Sequence, residues 1–156
     1  MTRLVPRVGR AAVALSSLAV IALSLSGCSS SGSSSAQKVQ VRLVEFQLTP
    51  NAADVKAGTL GFDVRNAGTT KHEMVVVRAD SVDQLPKRAD GSVDEDKIPE
   101  TDKAGETGEF DASTTKSVSL KLSPGHYVMF CNIVQDTAGG PVSHFARGMH
   151  AEIAVS

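Results

Sequence analysis

From Val39 the chain alternates apolar and polar positions with period two. Val39, Val41 and Leu43 fall on one face, and Gln40 and Arg42 on the other. The phase then slips by one residue, so that Val44, Phe46 and Leu48 face inward, and a slip of that size predicts a β-bulge. Further short strands, most of them rich in Val, are predicted over 59–65, 72–78, 115–122, 126–132 and 149–155. Gly58, Asn66 with Gly68, and Pro124 with Gly125 punctuate them as turns. No long pattern of period 3.6 competes, so short strands packed as an all-β sandwich are the expected solution.

Residues 79–111 break this rhythm. Asp80, Asp83, Asp90, Asp94, Glu95, Asp96, Glu100, Asp102, Glu106, Glu109 and Asp111 stand there against only Lys87, Arg88, Lys97 and Lys103. Such a stretch reads as a long, solvated acidic loop inserted into the sandwich, with short helical turns near 81–85.

The start of the chain has a different character. Arg3, Arg7 and Arg10 precede an apolar run over 11–25, the layout of an export signal, and that run is too short to span a bilayer comfortably. Leu25-Ser26-Gly27-Cys28 resembles a bacterial lipobox, which implies cleavage ahead of Cys28 and a lipid anchor on its thiol. No adjacent Arg pair stands ahead of the apolar run, so export in the unfolded state is expected. The organisation expected is a signal peptide over 1–27, a lipidated Cys and Ser-rich tether over 28–38, and one domain over 39–156. Ser29 to Ser35, interrupted by Gly32, has no apolar area to bury and serves as the tether. Loss of the three arginines takes the formal charge from -1 to -4, which disfavours nucleic acid as a partner. The expected location is the outer face of the cell membrane, and the expected state is a monomer.

If Cys28 carries lipid, Cys131 is the one thiol left in an oxidising compartment, without an internal partner. Such a thiol is either buried or committed to a metal. His144 follows it, then Met149 after four residues, and His72 lies upstream at the start of an apolar strand. A thiolate, two imidazoles and a thioether form the donor set that prefers copper, with the thioether as a long axial ligand; zinc gains little from Met. Strand alternation places His126 opposite Tyr127, Met129 and Cys131, and so exposed. It likewise sets His150 with Glu152 against the apolar face of Met149, Ala151, Ile153 and Val155. Met74 and Met129 read as core.

At these residues the chain resembles the cupredoxins. The likeness runs from about Val39 to Ser156 and is sharpest at Asn66 to Met74 (NAGTTKHEM), Pro124 to Cys131 (PGHYVMFC) and His144 to Met149 (HFARGM). It implies a Greek-key β-sandwich holding one type 1 copper ion through His72, Cys131, His144 and Met149. Two departures stand out. Twelve residues separate Cys131 from His144, where the best-known small members have only a few. Glu73 stands where many members carry an Asn that helps lock the ligand loop.

The function this implies is one-electron transfer between redox partner proteins, without enzymatic turnover, because no further histidines remain for a second copper centre. The alternative is a copper carrier or sequestration protein at the cell surface. A metal-free interaction domain is the third reading. By the same resemblance electrons leave through His144, with Pro141, Val142, Phe145 and Ala146 as an apolar docking rim.

Overall fold

The computed structural model describes residues 37–156. The expected export segment, Cys28 and the Ser-rich run lie outside the described residues. Eleven strands follow in order: β1 Gln37–Val44, β2 Gln47–Pro50, β3 Asp54–Val55, β4 Gly58–Asn66, β5 Val75–Arg78, β6 Lys103–Glu106, β7 Thr115–Leu122, β8 Gly125–Phe130, β9 Val134–Thr137, β10 Gly140–Ser143 and β11 His150–Val155. Two short 3-10 turns, Val82–Gln84 and Glu95–Lys97, lie in the acidic segment. The architecture is the all-β sandwich expected from the alternation.

One sheet has the order β2-β1-β4-β7, and the other β3-β11-β8-β5-β6. β1 runs parallel to β4, and β3 parallel to β11; the remaining pairings are antiparallel. The phase slip after Leu43 comes from a hairpin and not from a bulge. Leu43 pairs with Leu48 and Val44 with Gln47, leaving Glu45 and Phe46 as the turn. Cross-strand partners share a face, so the reversal moves the inward positions from odd to even numbers.

Val39, Val41, Leu43, Leu60, Phe62 and Val64 of the first sheet meet Val76, Tyr127, Met129, Ile153 and Val155 of the second across the main core. Each such side chain contributes roughly 1.5–3 kcal/mol when fully buried. Met74 and Met129 belong to this core and His126 is exposed, as the alternation required.

The acidic segment does more than form a solvated loop. Leu85, Val93 and Ile98 turn inward and pack with Val75, Val77, Val128, Phe130 and Phe145 into a second core on the outer face of the five-stranded sheet. β8 explains why a cover is needed. Tyr127, Val128, Met129 and Phe130 are all buried, so this strand presents apolar side chains to both faces and requires a layer on each.

Ile98→Ala should therefore lower the unfolding free energy by about 2–4 kcal/mol in a denaturant titration, the cost of a core cavity. A solvated loop position would change it by less than about 0.5 kcal/mol.

Candidate metal centre

His72 enters the sandwich on a loop rather than on a strand. It pairs with Phe110 through backbone bonds, Phe110 N–H to His72 O at 2.9 Å and His72 N–H to Phe110 O at 3.3 Å. Asn66, fully buried, ties the loop down. Its Oδ1 accepts from Gly68 N–H at 3.0 Å, and its Nδ2 donates to Thr70 O at 2.9 Å and Phe110 O at 3.2 Å. The Asn-x-Gly pattern thus encodes the position of the first histidine.

Cys131 directly follows β8, and its N–H donates to Met149 O at 3.0 Å. The long interval before His144 is folded into an antiparallel hairpin, β9 with β10, closed at its base by His144 N–H to Ile133 O at 2.9 Å. The hairpin projects the extra residues outward and returns His144 beside Cys131. A tight turn then leads to Met149, whose N–H donates to His144 O at 3.0 Å. Gly148 in this turn has φ +95°, a left-handed conformation that a side chain disfavours.

These elements bring His72, Cys131 and His144 together, with their donor atoms within 4.8 Å of one another. The two Nδ1 atoms are 3.2 Å apart, and Cys131 Sγ lies 3.4 Å from His144 Nδ1 and 3.9 Å from His72 Nδ1. All three residues, and Met149 with them, have 0% exposure. Met149 packs in the same core as Cys131 and Met74. His150 is not part of the cluster; its ring lies 5.3 Å from Phe145 on the outer side of the sheet.

Burial governs the protonation of the cluster. It holds His72 and His144 below the usual imidazole range, with the mutual repulsion of the two rings adding to the effect at His144 and the Glu45 charge opposing it at both. Both rings are therefore neutral and carry a lone pair. Burial also pushes the Cys131 thiol up to about 11, against the pull of the Glu73 and Ile133 N–H groups on its sulfur. A cation at the focus of these atoms would take the ring lone pairs and supply the charge that favours the thiolate. The donor chemistry fits one copper ion.

Glu73 locks the ligand loop in the place expected of an Asn. Its Oε1 accepts from Asn132 N–H at 3.1 Å. Asn132 in turn accepts from Val93 N–H at 2.7 Å and donates to Val93 O at 3.0 Å and Glu95 Oε1 at 2.7 Å. The acidic segment is thus fastened to the residue next to Cys131.

The docking rim differs from expectation at Phe145. That side chain is 4% exposed and stacks edge-on against Phe130 at 5.6 Å, because it fills the outer core. The ring that covers His144 is Phe46, at 5.2 Å and 74°, with the Arg147 guanidinium over Phe46 at 4.9 Å. Gln135 Oε1 lies 3.4 Å from His144 Nε2. Glu45, Gln135 and Asn132 were not singled out from the sequence, and Phe46 was marked only as an inward apolar position. Glu45 and Phe46 sit in a turn hidden by the phase slip.

No family model and no curated protein matches the chain. Solved structures do. Auracyanin B superposes with a TM-score of 0.55 at 21% identity, covering 78% of this chain and 89% of that one. The fold is that of the cupredoxins. Dithionite-reduced auracyanin from the photosynthetic bacterium Roseiflexus castenholzii gives a TM-score of 0.50 at 16% identity, over 78% of this chain and 98% of its own. Reduced rusticyanin gives 0.50 at 17%, over 78% and 81%. Within this cupredoxin fold, the donor cluster lies where β8, the β9–β10 hairpin and the loop after β4 converge.

The wiring of Glu73 has a measurable consequence. Burial, reinforced by the charges of Glu95, Glu106 and Glu109, raises its carboxyl from 4.5 to about 7 against the Asn132 N–H. The folded state then holds a proton that the unfolded chain has already released between those values. The stability this contributes is fully present below the lower value and is lost as pH rises through the upper one. Glu73→Gln, which keeps an acceptor for Asn132, should gain stability relative to wild type as pH rises from about 5 to about 8. Denaturant titrations of both proteins across that range check this; parallel curves would contradict it.

Proposed function

We propose that this protein is an extracytoplasmic electron carrier, held to the membrane by lipid on Cys28 and passing single electrons between partner proteins. The observation that carries the reading is the convergence of two imidazole Nδ1 atoms and one thiol in a fully buried cluster beside Met149. Copper bound there supplies a one-electron couple. His72, Cys131 and His144 would hold it from three separate loops, each pinned by backbone hydrogen bonds. Such pinning limits rearrangement when the charge at the site changes. Met149, on the turn after His144, is the thioether that would complete the donor set, as a weaker ligand than the other three.

Two of the similar structures are of reduced proteins, which supports a redox role for the shared fold. Burial favours electron transfer over the carrier alternative. A protein that hands copper on needs ligands that another protein can reach, and these four have 0% exposure. Phe46, Arg147 and the β9–β10 hairpin around His144 form the surface assigned to electron exit. A partner must leave after each transfer, so the contact there is small and brief. The acidic face of residues 79–111 is assigned to steering, acting on encounter rate more than on residence.

Titrating the purified full chain with copper(II) should produce an intense thiolate-to-copper band in the visible. Cys131→Ser should abolish it. Met149→Leu should retain the band and shift the reduction potential, because an axial thioether tunes more than it holds. His150→Ala should change neither. A visible band that survives in Cys131→Ser would remove the proposal.

A further inference from the structure

The turn between β1 and β2 touches the donor cluster without contributing a ligand. His72 directs Nδ1 into the cluster, so with Nδ1 committed to an ion the proton of its neutral ring belongs on Nε2. That nitrogen is buried and has no hydrogen-bond partner within the described residues. Among the described residues the charged group facing it is Glu45, whose Oε1 lies 3.6 Å away. This is just beyond hydrogen-bond reach, and a ring movement of roughly half an ångström would close it.

The Glu45 carboxylate is itself fixed. Its Oε1 accepts from the N–H of Thr69, from Thr70 N–H at 2.9 Å, and from the hydroxyls of Thr69 at 3.1 Å and Thr70 at 3.3 Å. Partial burial pushes its carboxyl up, but these hydrogen bonds outweigh it and bring the value to about 2. The side chain is 28% exposed, so the charge stays partly solvated while it faces a buried imidazole.

Gly68 is the independent observation. A Cβ at this position would lie 2.8 Å from His72 Nε2 and 2.7 and 2.9 Å from the two Glu45 oxygens. Only a residue without a side chain lets the carboxylate approach the ring. Among the described residues the other imidazole has no such partner; its Nε2 faces the neutral amide of Gln135. The two histidines therefore differ in the charge behind them.

We propose that Glu45 is a positioning residue of the metal centre: it accepts the Nε2–H of His72, fixes the tautomer that aims Nδ1 at the ion, and favours the oxidised over the reduced state. This rests on the copper reading above. A carboxylate behind an imidazole ligand raises its basicity and holds its orientation, and negative charge near the ion stabilises the higher oxidation state.

Two arms test it on the purified full chain. In the copper-loaded protein, Glu45→Gln should keep the visible band and move the midpoint potential to more positive values, with about a tenfold loss of preference for copper(II) over copper(I). Glu45→Asp, which keeps the charge, should recover part of that shift. Gly68→Ala should move the potential in the same direction as Glu45→Gln with the charge intact. In the metal-free protein, nitrogen-15 spectra of the imidazoles should show His72 protonated at Nε2 with a hydrogen-bonded proton signal, and Glu45→Gln should weaken that signal. The metal-free arm reads the contact without copper, so a missing visible band would strike the copper reading alone. Unchanged potential in Glu45→Gln, or an unchanged His72 proton signal, would overturn the role of Glu45.

Discussion

Three metal-donor atoms are held face to face in a buried interior, and the architecture around them answers to that constraint. The Nδ1 atoms of His72 and His144 stand 3.2 Å apart, with the Cys131 sulfur 3.4 Å from the nearer one. The cluster leaves one buried polar atom, His72 Nε2, without a hydrogen-bond partner among the described residues, at a cost of about 1–3 kcal/mol, so it persists only where the surrounding packing outweighs that cost. Here the main core supplies the packing, and Cys131, Met149 and Met74 belong to that core as much as to the site. Fold and site are one contiguous body of contacts.

The outer layer extends this arrangement. The acidic segment hides Leu85, Val93 and Ile98 against β5 and β8, and its bonds to Asn132 reach the residue next to Cys131. Glu73 closes the connection from the other side by accepting from the Asn132 backbone. A segment that carries negative charge outward thus also restrains the thiolate loop. The β1–β2 turn acts in the same way on the opposite flank, setting Glu45 behind His72 and Phe46 against His144.

Alternation exposed the inward faces of β1, β4, β7 and β11 because each of these strands has one wet side. β8 is covered on both faces: alternation separates His126 from Tyr127 and Met129, but Val128 and Phe130 on the His126 side are apolar as well and require residues 79–111 as a cover. The slip at Val44 looked like a bulge because a two-residue reversal and a one-residue insertion produce the same change of parity. The cluster itself was legible through its residue types and order, and the structure brings His72, Cys131 and His144 together with Met149 buried nearby. What surrounds it was not legible. Glu45 meets His72 through contacts across 27 positions of sequence, and Phe145 faces the outer core although it adjoins His144 in the chain.

A preformed, buried set of two imidazoles and one cysteine sulfur should hold copper in both oxidation states with little movement. X-ray absorption at the copper edge, recorded on the full chain before and after reduction, tests this directly. One short sulfur neighbour and two nitrogen neighbours are expected in each state, with only small changes in distance. Loss of a nitrogen neighbour on reduction, or the absence of a short sulfur neighbour in either state, would contradict it.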